Sequence, residues 1–225
     1  MFGKAGRPGP LAAAGVALSS AAAVILMGII TAEALYPGAY STGDNEISDL
    51  GGTRPPDSVV LQPSAAIFDG TMLLAGAAIL LATFLVHRGL RRRAVSIWLG
   101  LFGAGAFLVG VFPGSTAVHP FVATLTFVSA GVVALVFSRT QSAPGRYVSA
   151  ALGSVTVLST ILGYFLLDWA PIAELGDGGI ERWIAYPAVL WLAVTGGYLM
   201  AHPPAEPAAG VTAAGEELTS AGSRG

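Results

Sequence analysis

The chain contains no cysteine, and only 11% of its 225 residues are charged. The absence of cysteine excludes disulfides, thiolate metal sites and cysteine nucleophiles. The scarcity of charge excludes an ordinary soluble domain, in which about a quarter of the residues are charged. Because 54% of the residues are hydrophobic, the composition predicts an all-α integral membrane protein.

Six apolar segments are long enough to cross a hydrocarbon core of about 30 Å. The sequence therefore predicts a bundle of six transmembrane helices that forms one membrane domain over residues 11–201. Residues 1–10 form a basic lead, and residues 202–225 are too poor in large apolar side chains to fold, so they are predicted to be a disordered tail. The six apolar segments cover residues 11–34, 63–86, 94–112, 118–137, 147–168 and 183–201. Before the sixth, Asp177 or Gly178 could cap the helix, and Glu181 would suit its first turn.

The first segment has an alternative interpretation as a cleaved signal peptide, because Ala32-Glu33-Ala34 has the small-x-small form of a cleavage site. The apolar run is longer than the 7 to 15 residues that are usual in a signal peptide. A membrane-spanning helix is therefore the preferred prediction.

Basic residues are distributed unevenly between the two ends of the predicted bundle. Nine of the eleven Lys and Arg fall on the side of the two termini, and the other two are Arg54 and Arg182. Because Lys and Arg favour the cytoplasmic side, both termini are predicted to be cytoplasmic in the plasma membrane, with a long first extracytoplasmic loop. The cytoplasmic arginines are few and lie beside the membrane, so we expect contact with lipid headgroups and no nucleic acid partner.

The polar passage over residues 36–70 is the best candidate for a functional surface, because acidic side chains gather at the same predicted outer face. Asp69 lies inside the second segment, where an ionisable group suggests function, and His119 begins the fourth. These two are the catalytic candidates. The predicted outer-face polar cluster consists of Asp49, Asp69, His119, Asp168, Glu181 and Arg182.

Structural roles are the alternative for these residues. Asp69 would be favoured by the dipole at a helix N-terminus, and His119 precedes a proline and would lie at or near a helix N-cap. Arg182 would pair with an acid as a structural clasp, or else anchor an anionic headgroup. Residues 47–51 combine turn-forming residues with two apolar ones. This pattern predicts a short amphipathic element folded back on the mouth of the bundle, with an ordinary loop cap as the alternative.

Histidine is too sparse at the outer face for a histidine-based metal site. His87 and His202 are predicted on the opposite side, about 30 Å from His119. This separation excludes a two-histidine haem and a three-histidine zinc site. No ligand spacing supports a metal held by His119 and carboxylates, and the sequence predicts no metal and no cofactor.

Several stretches resemble the membrane family known as Domain of Unknown Function 998. The resemblance implies a six-helix bundle and no particular activity. It also implies that related chains often carry an amide where this chain has Asp69, so a catalytic role for Asp69 would not extend to the family. The matching residues are Tyr40, residues 45–51 (NEISDLG), residues 67–70 (IFDG), Phe112, Pro113, His119, residues 179–187 (GIERWIAYP) and Trp191.

Three functions are compatible with the sequence. The first is a non-enzymatic bundle that uses an acidic outer-face pocket or the loop to recognise membrane lipids, a second copy of the chain or another membrane protein. The second is a small proton-coupled transporter, although the cytoplasmic halves of the segments contain almost no ionisable group. The third is an intramembrane lipid-modifying hydrolase with His119 as base and a carboxylate partner, although no G-x-S-x-G motif is present. Of these three functions, we expect the first, a non-enzymatic bundle.

Overall fold

The computed structural model describes residues 9–165 and 173–201. The described residues contain six long α-helices, each apolar enough to cross a membrane. The shortest has 19 residues, and at a rise of 1.5 Å per residue it extends over about 28 Å. The helices are α1 (Pro10–Ala34), α2 (Ser64–Leu90), α3 (Arg93–Val111), α4 (His119–Ser138), α5 (Gly145–Phe165) and α6 (Gly176–Ala201).

The helices form a closed ring. Each helix packs against the next along the chain, and α6 returns to pack against α1. The approach of α6 to α1 depends on glycine: a Cβ atom added at Gly196 would lie 2.2 Å from Ser19 Oγ and 2.6 Å from the Gly15 carbonyl oxygen. Small residues of this kind let helix backbones approach closely in membranes, where no hydrophobic force drives helices together.

Buried aromatic side chains join α4, α5 and α6 in the half of the ring away from the first loop. Trp191 is 1% exposed, and its indole Nε1 donates to Ser149 Oγ at 3.2 Å. Its ring packs edge-on against Phe137, with 6.0 Å between centroids. The indole N–H is thereby satisfied within an apolar interior, as a buried tryptophan requires.

Residues 35–63, which we call the first loop, fold over one end of the ring, which we call the loop face. The predicted short element is confirmed: Ile47–Leu50 form a 3-10 helix, and Ile47 and Leu50 are buried. Ser64 Oγ donates to the Leu50 carbonyl at 3.2 Å. A Cβ atom at Gly114 would lie 2.0 Å from the Gly52 carbonyl oxygen, so the α3–α4 turn also touches the first loop.

Six helices are confirmed. Helix α6 begins at Gly176, close to the predicted cap at Asp177 or Gly178, and the Gly179 amide in its first turn donates to the Gly43 carbonyl of the first loop at 3.1 Å. Helix α2 continues past the predicted limit at residue 86 to Leu90, where Arg91 ends it in the left-handed conformation. The predicted lead covered residues 1–10, but α1 already begins at Pro10. Residues 1–8 of the lead, the end of the fifth segment with Asp168, and the tail lie outside the described residues.

Candidate functional site

Arg182 fixes the first loop to α6. Its guanidinium donates from Nη1 to the carbonyls of Thr42 (2.9 Å) and Asn45 (3.0 Å), and from Nη2 to the Tyr40 hydroxyl (2.9 Å). Nη2 also forms an ion pair of 2.5 Å with Glu33 at the end of α1, and the Arg182 side chain is 12% exposed. This geometry fits the structural clasp, because the guanidinium is already bonded to the protein itself.

Glu181 holds the same loop from the neighbouring position. Its Oε2 atom accepts hydrogen bonds from the backbone amides of Ile47 and Ser48, the latter at 3.3 Å. These amides begin the 3-10 helix, so they lack partners within it, and a carboxylate satisfies such groups strongly. We call the contacts of Glu181 and Arg182 with the first loop the loop clasp.

Asp49 stabilises the first loop by accepting hydrogen bonds from within it. Its Oδ2 atom accepts from the Glu46 amide at 3.1 Å and from Asn45 Nδ2 at 3.3 Å. Glu46 and Asp49 together form a capping box around the 3-10 helix. Burial raises the pKa of Glu46 from its ordinary value, against the opposing effect of Arg54, with which Glu46 forms an ion pair.

A cavity of about 240 Å³ lies at the loop face between the first loop and helices α4, α5 and α6. We call it the polar cavity. Its apolar wall includes Ala123, Phe127 and Ile180, and it reaches the outside of the ring at Tyr164, which is 49% exposed. The polar residues that line it are Glu46, Ser48, Arg54, His119, Asp177 and Glu181.

A second, apolar cavity of about 60 Å³ lies beneath the 3-10 helix in the centre of the ring. Ile29, Phe68 and Val109 are part of its wall, so α1, α2 and α3 contribute to it as well as α4 and α6. The two cavities share wall residues, so they are adjacent. The shared residues are Ser48, His119, Ala123, Phe127 and Glu181.

His119 is the first residue of α4, as the sequence suggested, and lines both cavities. The residue is 5% exposed. Its Nδ1 atom lies 2.8 Å from the Phe112 carbonyl oxygen, and because a carbonyl only accepts hydrogen bonds, Nδ1 carries the proton. In the neutral imidazole, Nε2 is therefore a hydrogen-bond acceptor.

The structure separates three other members of the predicted outer-face polar cluster, Asp49, Asp69 and Arg182, from the polar cavity. Asp69 lines neither cavity; its Oδ1 atom is buried and has no hydrogen-bond partner among the described residues. A Cβ atom at Gly51 would come within 2.7 Å of that oxygen, so Asp69 lies directly beneath the first loop. Asp49 and Arg182 belong to the contacts described above, and Asp168 lies outside the described residues.

Four polar residues of the cavity were not predicted as site residues from the sequence: Glu46, Ser48, Arg54 and Asp177. Glu46 and Ser48 belong to the NEISDLG stretch, so that stretch was the available signal. Arg54 was visible only as one of two basic residues on that side of the bundle. Within residues 9–165 and 173–201, no group of three His, Cys, Asp or Glu side chains could hold a metal ion.

The fold and the site define a class of protein: a multi-pass helical membrane protein in which the loop after the first helix is fixed against one end of a six-helix ring. The chain belongs to the family described as "Protein of unknown function (DUF998)", whose family model matches residues 19–198. No curated protein matches the chain, and no solved structure does. The NEISDLG and GIERW stretches that suggested the family touch each other in the loop clasp.

Proposed function

We propose that this protein is a non-enzymatic membrane protein that binds a lipid at the loop face, with the first loop as part of the recognition surface. The observation that carries the proposal is the adjacency of the two cavities, one lined by charged side chains and the other almost entirely by apolar ones. A lipid has the same division into a polar headgroup and an apolar chain. Ligand sites of this kind are concave and mostly apolar, with a few placed polar groups.

Access from the surrounding lipid supports this proposal. The polar cavity is bordered by Pro120 and Tyr164, both of which are exposed on the outside of the ring. The Tyr164 hydroxyl lies 2.6 Å from Thr124 Oγ1, which ties α5 to α4 beside the opening. A lipid could therefore reach the cavity sideways from one leaflet.

A lipid-modifying hydrolase is the second candidate, because Ser48, His119 and Glu181 line the same cavity. Two contacts count against it. The Ser48 hydroxyl donates to Glu46 at 3.4 Å, and the Nδ1 atom of His119 is oriented by a backbone carbonyl instead of a carboxylate. A proton-coupled carrier has less support, because among the described residues the buried polar side chains away from the loop face carry no charge; they are hydroxyls such as Thr156 and Thr195, and the amide of Gln141.

We also propose that the loop face is extracytoplasmic and that both termini are cytoplasmic in the plasma membrane. The charge bias of the sequence supports this orientation. The absence of cysteine gives a clean background for single-cysteine labelling. A cysteine at Asp57 should react with an impermeant reagent added outside, and one at Arg92 only after permeabilisation; the reverse pattern would refute the orientation.

Filling the polar cavity should remove bound lipid. Ala123 lines both cavities and is 9% exposed, so the ring of Ala123→Phe would occupy the shared space. We expect native mass spectrometry of the purified protein to show about a tenfold loss of retained lipid, equivalent to about 1.4 kcal/mol. The matched control is Val128→Phe, since Val128 lies on the same helix and is 39% exposed.

The control should retain lipid as the unmodified protein does, and both variants should keep the helical circular dichroism spectrum. Equal lipid retention by Ala123→Phe and Val128→Phe, with both folded, would refute lipid binding in the cavity. Hydrolysis of a lipid that depends on His119 would instead support the second candidate.

A further inference from the structure

Two nearly buried side chains present polar atoms to the polar cavity without protein partners. The Nε2 atom of His119 has no hydrogen bond among the described residues, and the ring is 5% exposed. Glu181 is 9% exposed, and its bonds to the first loop use Oε2, so Oε1 is unpaired in the part of the chain that the structure describes. Neither atom is fully enclosed, and both residues line the cavity.

Two backbone amides donate to Glu181 and favour its ionised form, and with Glu181 ionised both free atoms are hydrogen-bond acceptors. A carboxylate oxygen only accepts, and Nε2 of a neutral imidazole accepts when Nδ1 carries the proton. A largely buried acceptor without a protein partner is destabilising, and more so when it is charged. These two acceptors therefore favour a ligand that presents at least two hydrogen-bond donors.

The charge of the cavity wall further limits the class of ligand. Glu46, Asp177 and Glu181 line the cavity, and Arg54 is the one Lys or Arg among the described wall residues. Arg54 already pairs with Glu46, and its side chain is 65% exposed. With neutral histidine, the wall has an excess of negative charge, so a cation fits it and an anion does not.

We infer that the polar cavity binds the primary ammonium headgroup of a lipid. A primary ammonium offers three N–H donors and one positive charge, which is enough to satisfy His119 Nε2 and Glu181 Oε1 together. A quaternary ammonium has the same charge but no N–H, so it would leave both acceptors unpaired. Where the headgroup also carries a phosphate, Arg54 at the edge of the cavity is the group that would meet it.

This inference rests on the proposed function, since a lipid rather than a soluble amine is expected from the apolar cavity beside the site. The test is therefore a series of ligands that differ only in the headgroup. Delipidated protein in detergent is titrated with dioleoyl phosphatidylethanolamine, its N,N-dimethyl derivative, dioleoyl phosphatidylcholine and dioleoyl phosphatidylglycerol. Soluble phosphoethanolamine, which has the same headgroup but no acyl chains, is the control that distinguishes a lipid from a soluble amine. Binding is measured by native mass spectrometry.

We expect the affinity for the lipid to fall as N–H donors are removed from its headgroup. Phosphatidylethanolamine should bind at least about tenfold more tightly than phosphatidylcholine, equivalent to about 1.4 kcal/mol, because only the primary ammonium can donate hydrogen bonds to the charged acceptor. The dimethyl derivative should lie between them. Phosphatidylglycerol and soluble phosphoethanolamine should bind more weakly than phosphatidylethanolamine.

Two conservative variants test the assigned atoms. Glu181→Gln keeps an oxygen for the Ile47 and Ser48 amides but loses the charge. His119→Asn keeps a donor on the side of the Phe112 carbonyl but loses the Nε2 acceptor. In each variant, phosphatidylethanolamine and phosphatidylcholine should bind with nearly equal affinity. The control Asp57→Asn also removes one negative charge, but in an exposed part of the first loop, and it should leave the preference for phosphatidylethanolamine unchanged.

The outcomes separate the inference from the proposed function. Equal binding of phosphatidylethanolamine and phosphatidylcholine, or tighter binding of phosphatidylglycerol, would overturn the ammonium inference and leave lipid binding intact. If soluble phosphoethanolamine bound as tightly as phosphatidylethanolamine, the inference that the ammonium group belongs to a lipid would be refuted. Binding of none of the four lipids would overturn the proposed function and the inference with it.

Discussion

Arg182→Met is expected to lower the free energy of unfolding by about 3 kcal/mol, the usual scale for removing one partner of a largely buried ion pair. Methionine keeps the apolar stem of the side chain but leaves Glu33 without its cation. The carbonyls of Thr42 and Asn45 would also lose their donor. Reversible unfolding in mixed detergent micelles, followed by circular dichroism, measures the change.

Arg54→Met is the matched control for Arg182→Met, because Arg54 also pairs with a glutamate at the loop face. Its side chain is 65% exposed, and an exposed ion pair contributes about 1 kcal/mol or less. If the two variants lost stability equally, Arg182 would not be a clasp and the first loop would not depend on it.

Gly178→Ala is expected to push the first loop away from α6. The added Cβ atom would lie 2.0 Å from the Asn45 carbonyl oxygen and 2.8 Å from that of Thr42. Because these are backbone atoms, the whole loop segment must move, and overpacking of this kind costs about 1 to 3 kcal/mol or more. We therefore expect lower stability, measured as for Arg182→Met, together with loss of retained lipid.

Gly197→Ala is the control on the same helix. A Cβ atom at Gly197 would meet nothing within 4 Å, and alanine is the better helix former by about 1 kcal/mol. This variant should be as stable as the unmodified protein or more so. A Gly178→Ala protein that behaved in the same way would contradict the close contact of the first loop with α6.

The helix count could be predicted from the sequence because it depends on the length and apolarity of each segment. The start of α6 could be predicted only from capping preferences, which pointed to Asp177 or Gly178, because Gly176, Asp177, Gly178 and Gly179 have the composition of a loop. These residues are helical because tertiary contacts with the first loop override their weak intrinsic preference. Hydropathy reports the membrane-spanning part of α6 and carries no information about those contacts.

The candidate site could be predicted only in part, because closeness in the sequence does not fix which way each side chain faces. Glu181 and Arg182 were assigned to one cluster, but adjacent residues on an α-helix project about 100° apart. Glu181 therefore faces the polar cavity, and Arg182 faces Glu33 and Tyr40. The place of Asp69 beneath Gly51 depends on how the first loop folds back, and no periodicity in the sequence encodes that contact.

The first loop is fixed against α6 and forms one wall of the polar cavity. Hydrogen–deuterium exchange of the unmodified protein tests this arrangement most directly, because the amides of Ile47 and Ser48 donate to the buried Glu181. We expect slow exchange of these two amides and fast exchange of the amides of Asp57 and Ser58, which are exposed residues outside the 3-10 helix. Exchange at Ile47 and Ser48 as fast as at Asp57 and Ser58 would contradict the fixed position of the first loop.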